Sequence, residues 1–361
     1  MAKNKPTLPA SRPSLKTKAD SKDGKPIGKK LEATKNTSKE KGKVVANSSK
    51  TANSKADVSK TAVETTKSNA PKLGTLKSPL RIFQIYYAPW QKDLLDPSYA
   101  AIDNSDVKSD LAEFLILEKL SKSEYTKDAK LWGALSWRFT ERTGMTSADW
   151  VKAIENNRGK DIYYCDPLPI NEALFHNIWL QGETTHPNFL AITQAFFKAA
   201  GLPEDHLIKI APTEEFAAAN YFVGSPKFWS IYIPWINKVL ATANKKMPPK
   251  LRDLMHSKIT EGPHKGITYL PFILERLFTI FMKTAGKDLT HFKIALPAVE
   301  NQLNVHLKLL REVKNLSHNT KSAWMAAVWV NYRNLYFMQT NGKDWCAKYL
   351  RSITPTDINF S

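Results

Sequence analysis

The sequence is poor in cysteine and contains no long apolar run. Only Cys165 and Cys346 occur in 361 residues, which excludes a disulfide framework and a zinc site built from several cysteines. The longest uninterrupted apolar run, Ala323 to Val330, is far shorter than the ~20 residues that a membrane-spanning helix needs. The N-terminus also lacks the apolar core of a secretory signal. From these absences we expect a cytoplasmic protein without a transmembrane segment.

Aromatic residues are absent from the first 80 positions, although the chain has 10 Trp, 12 Tyr and 16 Phe. The same 80 residues hold 19 Lys and Arg against 6 Asp and Glu, out of 53 and 34 in the whole chain. A segment so charged and so poor in large apolar side chains cannot bury enough surface to offset its ordering entropy. We therefore predict a disordered basic tail over residues 1–80, with the fold beginning near Arg81.

Strand-like and helical segments alternate after this tail. The predicted strands cover 81–88, 131–139, 161–165 and 219–223. The predicted helices cover 109–120, 147–156, 187–200, 227–243, 270–284 and most of 298–338, with a break at 315–319. This order predicts an α/β domain over residues 81–290, with a mainly parallel sheet flanked by helices, and a helical C-terminal extension over 291–361.

Several sequence signatures of catalysis are missing. The chain has no Gly-x-Gly-x-x-Gly, no Walker loop, no Gly-x-Ser-x-Gly elbow and no His-Glu-x-x-His. These absences argue against phosphoryl transfer by a P-loop and against serine hydrolysis.

Two polar residues are candidates for holding a cation or a phosphate. Asp166 directly follows a predicted strand, where ligands of open sheets bind, and a carboxylate there suits Mg²⁺ or Mn²⁺. The competing interpretation is a strand-end turn, because Asp-Pro is a common turn dipeptide. His264 lies between two glycines, where it either meets a metal or phosphate or is a solvated loop residue.

Two further segments are candidates for binding and catalysis. The segment 179–187 combines Trp179, Gln181, Glu183 and His186 in a predicted loop before a helix, where such groups grip sugar hydroxyls or an anion. Helix capping with a stacked tryptophan is the alternative. The pair Glu275-Arg276 in an apolar helix is either an internal ion pair or a catalytic carboxylate held by its arginine.

Six short motifs occur in a fixed order along the chain. They are Ile82-Phe-Gln-Ile-Tyr-Tyr, Gly133-Ala-Leu-Ser-Trp-Arg-Phe139, Asp161-Ile-Tyr-Tyr-Cys-Asp-Pro167, Asn177-Ile-Trp-Leu-Gln-Gly-Glu183, Asn220-Tyr-Phe-Val-Gly-Ser-Pro-Lys-Phe-Trp229 and Leu270-Pro-Phe-Ile-Leu-Glu-Arg276. This set resembles bacterial glycosyltransferase-like proteins found with surface polysaccharide genes, over roughly residues 81 to 285. The layout is similar to that of GT-A-type transferases.

The resemblance implies transfer of a sugar from a nucleotide-sugar donor to a surface glycan, with Mn²⁺ or Mg²⁺ as cofactor. Asp166 would stand at the metal and diphosphate position, with His264 as a further metal ligand. Glu183 or Glu275 would be the acceptor base, and Arg276 would hold Glu275. The substrate contacts would come from Trp179, Gln181, His186 and Asn220. The family pattern has two acidic residues where this chain has Tyr164-Cys165-Asp166, so metal dependence stays open.

The basic tail supports a second interpretation, a non-catalytic GT-A-like binding protein. Its net charge of +13 suits non-specific binding to nucleic acid or to an anionic membrane surface. In the latter case the protein lies at the inner face of the membrane. A solubilising extension without any partner is the third possibility.

Truncation of the tail tests its binding to nucleic acid. We expect the full chain to bind duplex DNA with an affinity that falls linearly with salt on a log–log plot and is independent of base sequence, because counterion release drives such binding. Fluorescence anisotropy with two unrelated duplexes measures this affinity. Equal binding by residues 81–361 alone, or a flat salt dependence, contradicts the electrostatic role of the tail.

Overall fold

The computed structural model describes residues 79–361, which contain six β-strands and twelve α-helices. The strands are β1 (Leu80–Tyr86), β2 (Ala100–Asp103), β3 (Leu131–Ser136), β4 (Ile162–Tyr164), β5 (Phe222–Gly224) and β6 (His291–Lys293). The helices are α1 (Glu113–Ser121), α2 (Phe139–Thr143), α3 (Ser147–Asn156), α4 (Pro169–Leu174), α5 (Ile178–Thr185), α6 (Phe189–Ala200), α7 (Pro226–Lys246), α8 (Pro249–Met255), α9 (Leu270–Lys283), α10 (Pro297–Glu300), α11 (Val305–Thr320) and α12 (Ala323–Tyr349). The predicted disordered tail, residues 1–80, lies outside the described residues except for its last two.

The strands form one mixed sheet in the order β2-β1-β3-β5-β4-β6. The pairs β1–β2, β1–β3 and β4–β6 are parallel, and β5 is antiparallel to both of its neighbours. The predicted α/β class with flanking helices is confirmed, but the sheet is mixed rather than mainly parallel. The reason is that the chain enters β5 at the edge where β4 ends, so β5 runs in the opposite direction.

Alternating side chains divide the sheet into two buried faces, as the period of two in a strand requires. In β1, Phe83 and Ile85 join the larger core, and Ile82 joins the smaller one. In β4, Ile162 and Tyr164 take the larger side and Tyr163 the smaller. Helices α1, α5, α6, α7 and α9 contribute to the larger core, and α2 and α3 cover the smaller one.

The C-terminal part is helical, as predicted, and it shares the core of the sheet. Leu310 of α11 and Trp329 of α12 are fully buried in the larger core, and β6 pairs with β4. The predicted boundary at residue 290 therefore does not separate two cores. The predicted break at 315–319 is wrong, because α11 stays helical to Thr320 and ends at Lys321, whose φ is 52°. Over residues 79–361, no helix is long and apolar enough to cross a bilayer.

Trp329 and Trp324 on the same helix provide a matched test of this shared core. Trp329 is fully buried and donates from Nε1 to the Ala173 carbonyl at 2.9 Å, whereas Trp324 is 86% exposed. We expect Trp329→Ala to lower the free energy of unfolding by about 3–5 kcal/mol, measured by urea denaturation. Trp324→Ala should change it by less than about 0.5 kcal/mol. Equal effects of the two substitutions contradict a core shared with α12.

Candidate functional site

One edge of the sheet collects the carboxyl ends of β1, β3 and β4, because these strands point the same way. Tyr87 follows β1, Trp137 follows β3 and Asp166 comes shortly after β4. Asn220 lies at the same edge, since β5 runs in reverse and begins just after it. Ligands of open α/β sheets bind outside such an edge. The side chains that meet there form the candidate site.

Five side chains form what we call the edge cluster: Tyr87, Glu113, Arg142, Asn220 and Glu275. Asn220 Nδ2 donates to Glu113 Oε2 at 3.0 Å. Burial, with the charge of the neighbouring Glu113, raises the pKa of Tyr87. Arg142 on α2 and Glu275 on α9 complete the group. The charge of Arg142 acts on Glu113, and the charge of Glu113 acts on Glu275. Residues far apart in sequence thus meet at the predicted edge.

Burial raises the pKa of both carboxyl groups in the edge cluster. Desolvation is the main cause at Glu275, whose pKa rises to about 8, and the nearby charge of Glu113 adds to the rise. The pKa of Glu113 is raised chiefly by burial, although the hydrogen bond from Asn220 opposes this. Two neighbouring carboxyl groups resist simultaneous ionisation. Glu275 therefore retains its proton near neutral pH.

Arg142 brings an uncompensated positive charge to the edge cluster. Its guanidinium is half-buried and makes no hydrogen bond or ion pair with any residue that the structure describes. Its positive charge lies near Glu113, Glu275 and His264, and it opposes the rise that burial causes in the pKa of the two carboxyl groups. An arginine in this state is suited to bidentate binding of a phosphate or carboxylate group.

Arg276 has other partners than the one predicted for it. It is buried and donates from Nε to the Ile178 carbonyl at 3.0 Å, from Nη1 to the Phe272 carbonyl at 2.9 Å and from Nη2 to Gln181 Oε1 at 2.8 Å. Consecutive residues of a helix point about 100° apart. Arg276 thus ties α9 to α5 and does not hold Glu275 through a direct ion pair.

Two neutral histidines lie beside this arginine. The His186 ring stacks on Phe272 with centroids 4.0 Å apart, and the His264 centroid is 4.8 Å from both rings. Burial, with the charge of Arg276, lowers the pKa of His186 to about 2. Within residues 79–361, neither Nδ1 atom has a hydrogen-bond partner. The structure therefore groups Gln181, His186, His264 and Arg276 of the predicted site residues.

The predicted binding loop 179–187 is instead the helix α5. Asn177 Oδ1 caps this helix by accepting from the backbone N–H groups of Trp179 and Leu180, each at 2.9 Å. Trp179 is 1% exposed within the core. Glu183 accepts from the Leu190 N–H at 2.7 Å, at the start of α6. These positions of Trp179 and Glu183 serve packing and helix capping rather than contact with a ligand.

Asp166 follows β4 as predicted but lines a separate cavity of about 500 Å³ together with Glu172, Lys293 and Arg311. Its Oδ1 lies 3.5 Å from the Ala218 N–H, and its Oδ2 has no partner among the described residues. Burial raises the pKa of Asp166 to about 7, and the charge of Glu172 contributes. Lys293 Nζ donates to Glu172 at 2.7 Å, which ties β6 to α4. This cavity is distinct from the edge cluster.

Metal binding was predicted at Asp166 and His264. The two residues have different neighbours, since Asp166 lies beside Glu172 and His264 beside His186. Over the described chain, no three His, Cys, Asp or Glu side chains gather in a way that could hold a metal ion. The donor set therefore does not fit a metal held jointly by these two residues.

Three members of the edge cluster escaped prediction from the sequence. Tyr87 directly follows the first strand and could have been found by the strand-end rule that selected Asp166. Glu113 and Arg142 lie on short helices whose sequences also contain other charged residues. Nothing in their local sequence separates them from solvated surface charges.

No family model, curated protein or solved structure matches the chain. The motifs of the sequence and the geometry of the edge cluster are accordingly the two supports for a functional interpretation. Of the two, the geometry is the more specific, because it joins residues from five separate segments.

Glu275→Gln should stabilise the fold in alkaline solution. The pKa of Glu275 is about 8 in the fold against an ordinary value of 4.5, so between these values the folded chain keeps a proton that the unfolded chain has released. Wild-type stability therefore falls as the pH rises through this window, and the amide removes that fall. We expect a gain of about 1 kcal/mol near pH 9 and none near pH 4, measured by urea unfolding.

Glu118→Gln is the control for this measurement. Glu118 lies on α1, and its hydrogen bond with Lys122 lowers its pKa. Its amide variant should show no gain in alkaline solution. A pH profile of Glu275→Gln that is parallel to the wild type would contradict the raised pKa.

Proposed function

We propose that this protein is a GT-A-like glycosyltransferase that moves a sugar from a nucleotide-sugar donor to a surface glycan acceptor. The observation that carries the proposal is the unpaired, half-buried Arg142 beside the two carboxyl groups Glu113 and Glu275, at the carboxyl edge of an α/β sheet. The ordered motifs and their resemblance to glycosyltransferase-like proteins support the same activity.

The reaction requires one basic group for the leaving diphosphate and one carboxylate for the acceptor. The acceptor hydroxyl oxygen attacks the anomeric carbon, the bond from that carbon to the diphosphate oxygen breaks, and the hydroxyl proton passes to a carboxylate. In our proposal Glu275 is the acceptor base in its ionised form, so turnover should rise as the pH passes the Glu275 pKa of about 8. Arg142 stabilises the departing diphosphate, as preorganised cations do for developing negative charge.

The remaining residues of the edge contribute positioning. Asn220 fixes the orientation of Glu113 through its 3.0 Å hydrogen bond. His186 and His264 are uncharged acceptors or donors, depending on tautomer, and they suit the hydroxyl groups of a sugar. Gln181 is engaged by Arg276 and acts by holding that arginine.

Mn²⁺ or Mg²⁺ belongs to the proposal only through the resemblance. The unpartnered Oδ2 of Asp166 is the one feature that favours a cation, whereas the nearby Lys293 and Arg311 oppose it. In our proposal Arg142 therefore neutralises the negative charge of the diphosphate, and no step of the reaction depends on a metal ion. Nucleotide titrations with and without Mn²⁺ separate the two cases.

Substitution of Arg142 tests the donor site. We expect Arg142→Met to weaken binding of a nucleoside diphosphate by about 10- to 100-fold and that of the nucleoside far less, because the lost charge acts on phosphate. Isothermal titration of UDP, GDP and CMP measures the binding. Glu275→Gln should keep nucleotide binding and lower turnover of the sugar nucleotide by about 100-fold or more.

Arg158→Met is the matched control, since Arg158 is 78% exposed and its ion pair with Glu155 is long, at 3.8 Å. It should bind nucleotides as the wild type does. If no nucleotide binds the wild type at about millimolar concentration, the transferase proposal fails, and a non-catalytic GT-A-like binding protein replaces it.

A further inference from the structure

The last two long helices expose a concentration of large apolar side chains. On α12 Met338 is 44% exposed, and the more exposed side chains of the two helices are Val305, Leu309 and Leu316 on α11 and Trp324, Val328 and Leu335 on α12. Their exposed fractions range from 48% at Leu316 to 86% at Trp324. These six are half of the twelve strongly exposed large apolar side chains in residues 79–361. We call them the C-terminal apolar face.

The spacing of these residues places them on one stripe of each helix. Both helices carry them at positions i, i+4 and i+11, which repeat on one side of an α-helix. The opposite side of each helix is buried, with Leu310 on α11 and Trp329 on α12. Both stripes therefore point away from the core.

The two stripes lie side by side because α11 and α12 form an antiparallel hairpin. Asn304, at the start of α11, is hydrogen-bonded to Tyr336 late in α12 at 3.1 Å. His306 is bonded to Tyr332 one turn earlier. With the turn at Lys321 and Ser322 joining the other ends, the six side chains make a single surface.

Charge is nearly absent from the α12 half of this surface, whereas on α11 the exposed Glu312 lies within the stripe between Leu309 and Leu316. From Ala323 to Gly342 the only charged residue is Arg333, and it is fully buried. A solvated helix of this length normally carries charged residues on its outer side. Contiguous apolar surface of this kind marks a binding site for another apolar partner.

Charged residues around the apolar face are mostly basic. Over residues 305–351 the exposed cations are Lys308, Lys321, Lys343, Lys348 and Arg351. The exposed acids in the same range are Glu312 and Asp344. An apolar stripe with tryptophan, bordered by lysine and arginine, is typical of helices that lie in the interface of an anionic bilayer.

We propose that the C-terminal apolar face docks onto an anionic lipid bilayer, with α11 and α12 lying in the membrane interface. The basic border would contact lipid headgroups, and Trp324 would insert at their depth. Stable peripheral attachment generally requires two signals, and the sequence supplies the second in the +13 charge of residues 1–80. The inference is independent of the proposed transferase activity.

A second copy of the chain is the competing occupant. Symmetric packing of two such faces would bring their basic borders together, and like charges in contact oppose association. The same border is attracted by anionic lipid. The charge around the face thus favours a membrane over self-association.

The test compares vesicle binding by the full-length wild type and by the triple variant Trp324→Ser, Val328→Ser, Leu335→Ser. Vesicles of phosphatidylcholine and phosphatidylglycerol at about 3:1 are used in about 0.5 M salt, which screens the basic tail. We expect cosedimentation with vesicles to fall at least about tenfold in the triple variant. Trp324→Ser alone should give a smaller fall.

The control is the triple variant Trp90→Ser, Leu94→Ser, Ile267→Ser, whose three residues are 60%, 53% and 45% exposed elsewhere on the chain. It should bind vesicles as the wild type does, and circular dichroism should show both variants folded. Nucleotide binding should be unchanged in the Trp324 series, which keeps this result separate from that of the proposed function.

Two results would overturn the inference. One is equal vesicle binding by wild type and the Trp324 triple variant. The other is a wild type that sediments as a dimer and a triple variant that sediments as a monomer with unaltered vesicle binding, because the face would then be covered by a second copy.

Discussion

Buried donors at the end of one short helix are the constraint on which the rest of the structure depends. Three side chains of α11 and α12 bind three consecutive carbonyl oxygens there: Trp329 binds that of Ala173, Arg333 that of Leu174 and Lys314 that of Phe175. A helix C-terminus leaves such carbonyls unsatisfied and partly negative. Their field compensates two cations that are fully buried, although burial still lowers the pKa of Lys314 to about 7 and that of Arg333 to about 9. The C-terminal helices are thereby fixed to the sheet domain.

The same segment continues into the candidate site. Asn177 caps α5 and donates to the carbonyls of Leu207 and Lys209. One residue later, the Ile178 carbonyl accepts from Arg276. Because Arg276 is held in this way, its neighbour Glu275 is turned towards the edge cluster. The orientation of Glu275, the proposed base, thus follows from the hydrogen bond of Arg276 to the backbone at the start of α5. Helices α11 and α12 bind the backbone just before it, at the end of α4.

Elements with a clear period were predictable from the sequence, whereas contacts between distant charges were not. The strand near Arg81 and the helices α3, α7 and α9 follow from apolar spacing and capping residues, and they match their predicted ranges within a few residues. Helix α5 was predicted as a loop because glycine and polar residues dominate its sequence. Glycine is needed at position 182 because a Cβ there would lie 2.4 Å from the Phe189 ring, a tertiary contact that the local sequence pattern does not reveal. The proximity of Glu113 to Arg142 is likewise a tertiary contact that the local sequence pattern does not reveal.

The lack of pairing in the edge cluster is informative because the chain pairs comparable acids elsewhere. Glu300 receives two hydrogen bonds from Arg311, each at 2.7 Å, and Glu172 receives one from Lys293. Glu275, among the described residues, makes none, although Arg142 is close enough to lower its pKa. Desolvated charges without partners cost stability, and sites that retain them do so at the expense of the fold. An anionic group at Arg142 and a hydroxyl at Glu275 would supply the missing partners, and the proposed donor and acceptor carry these two groups.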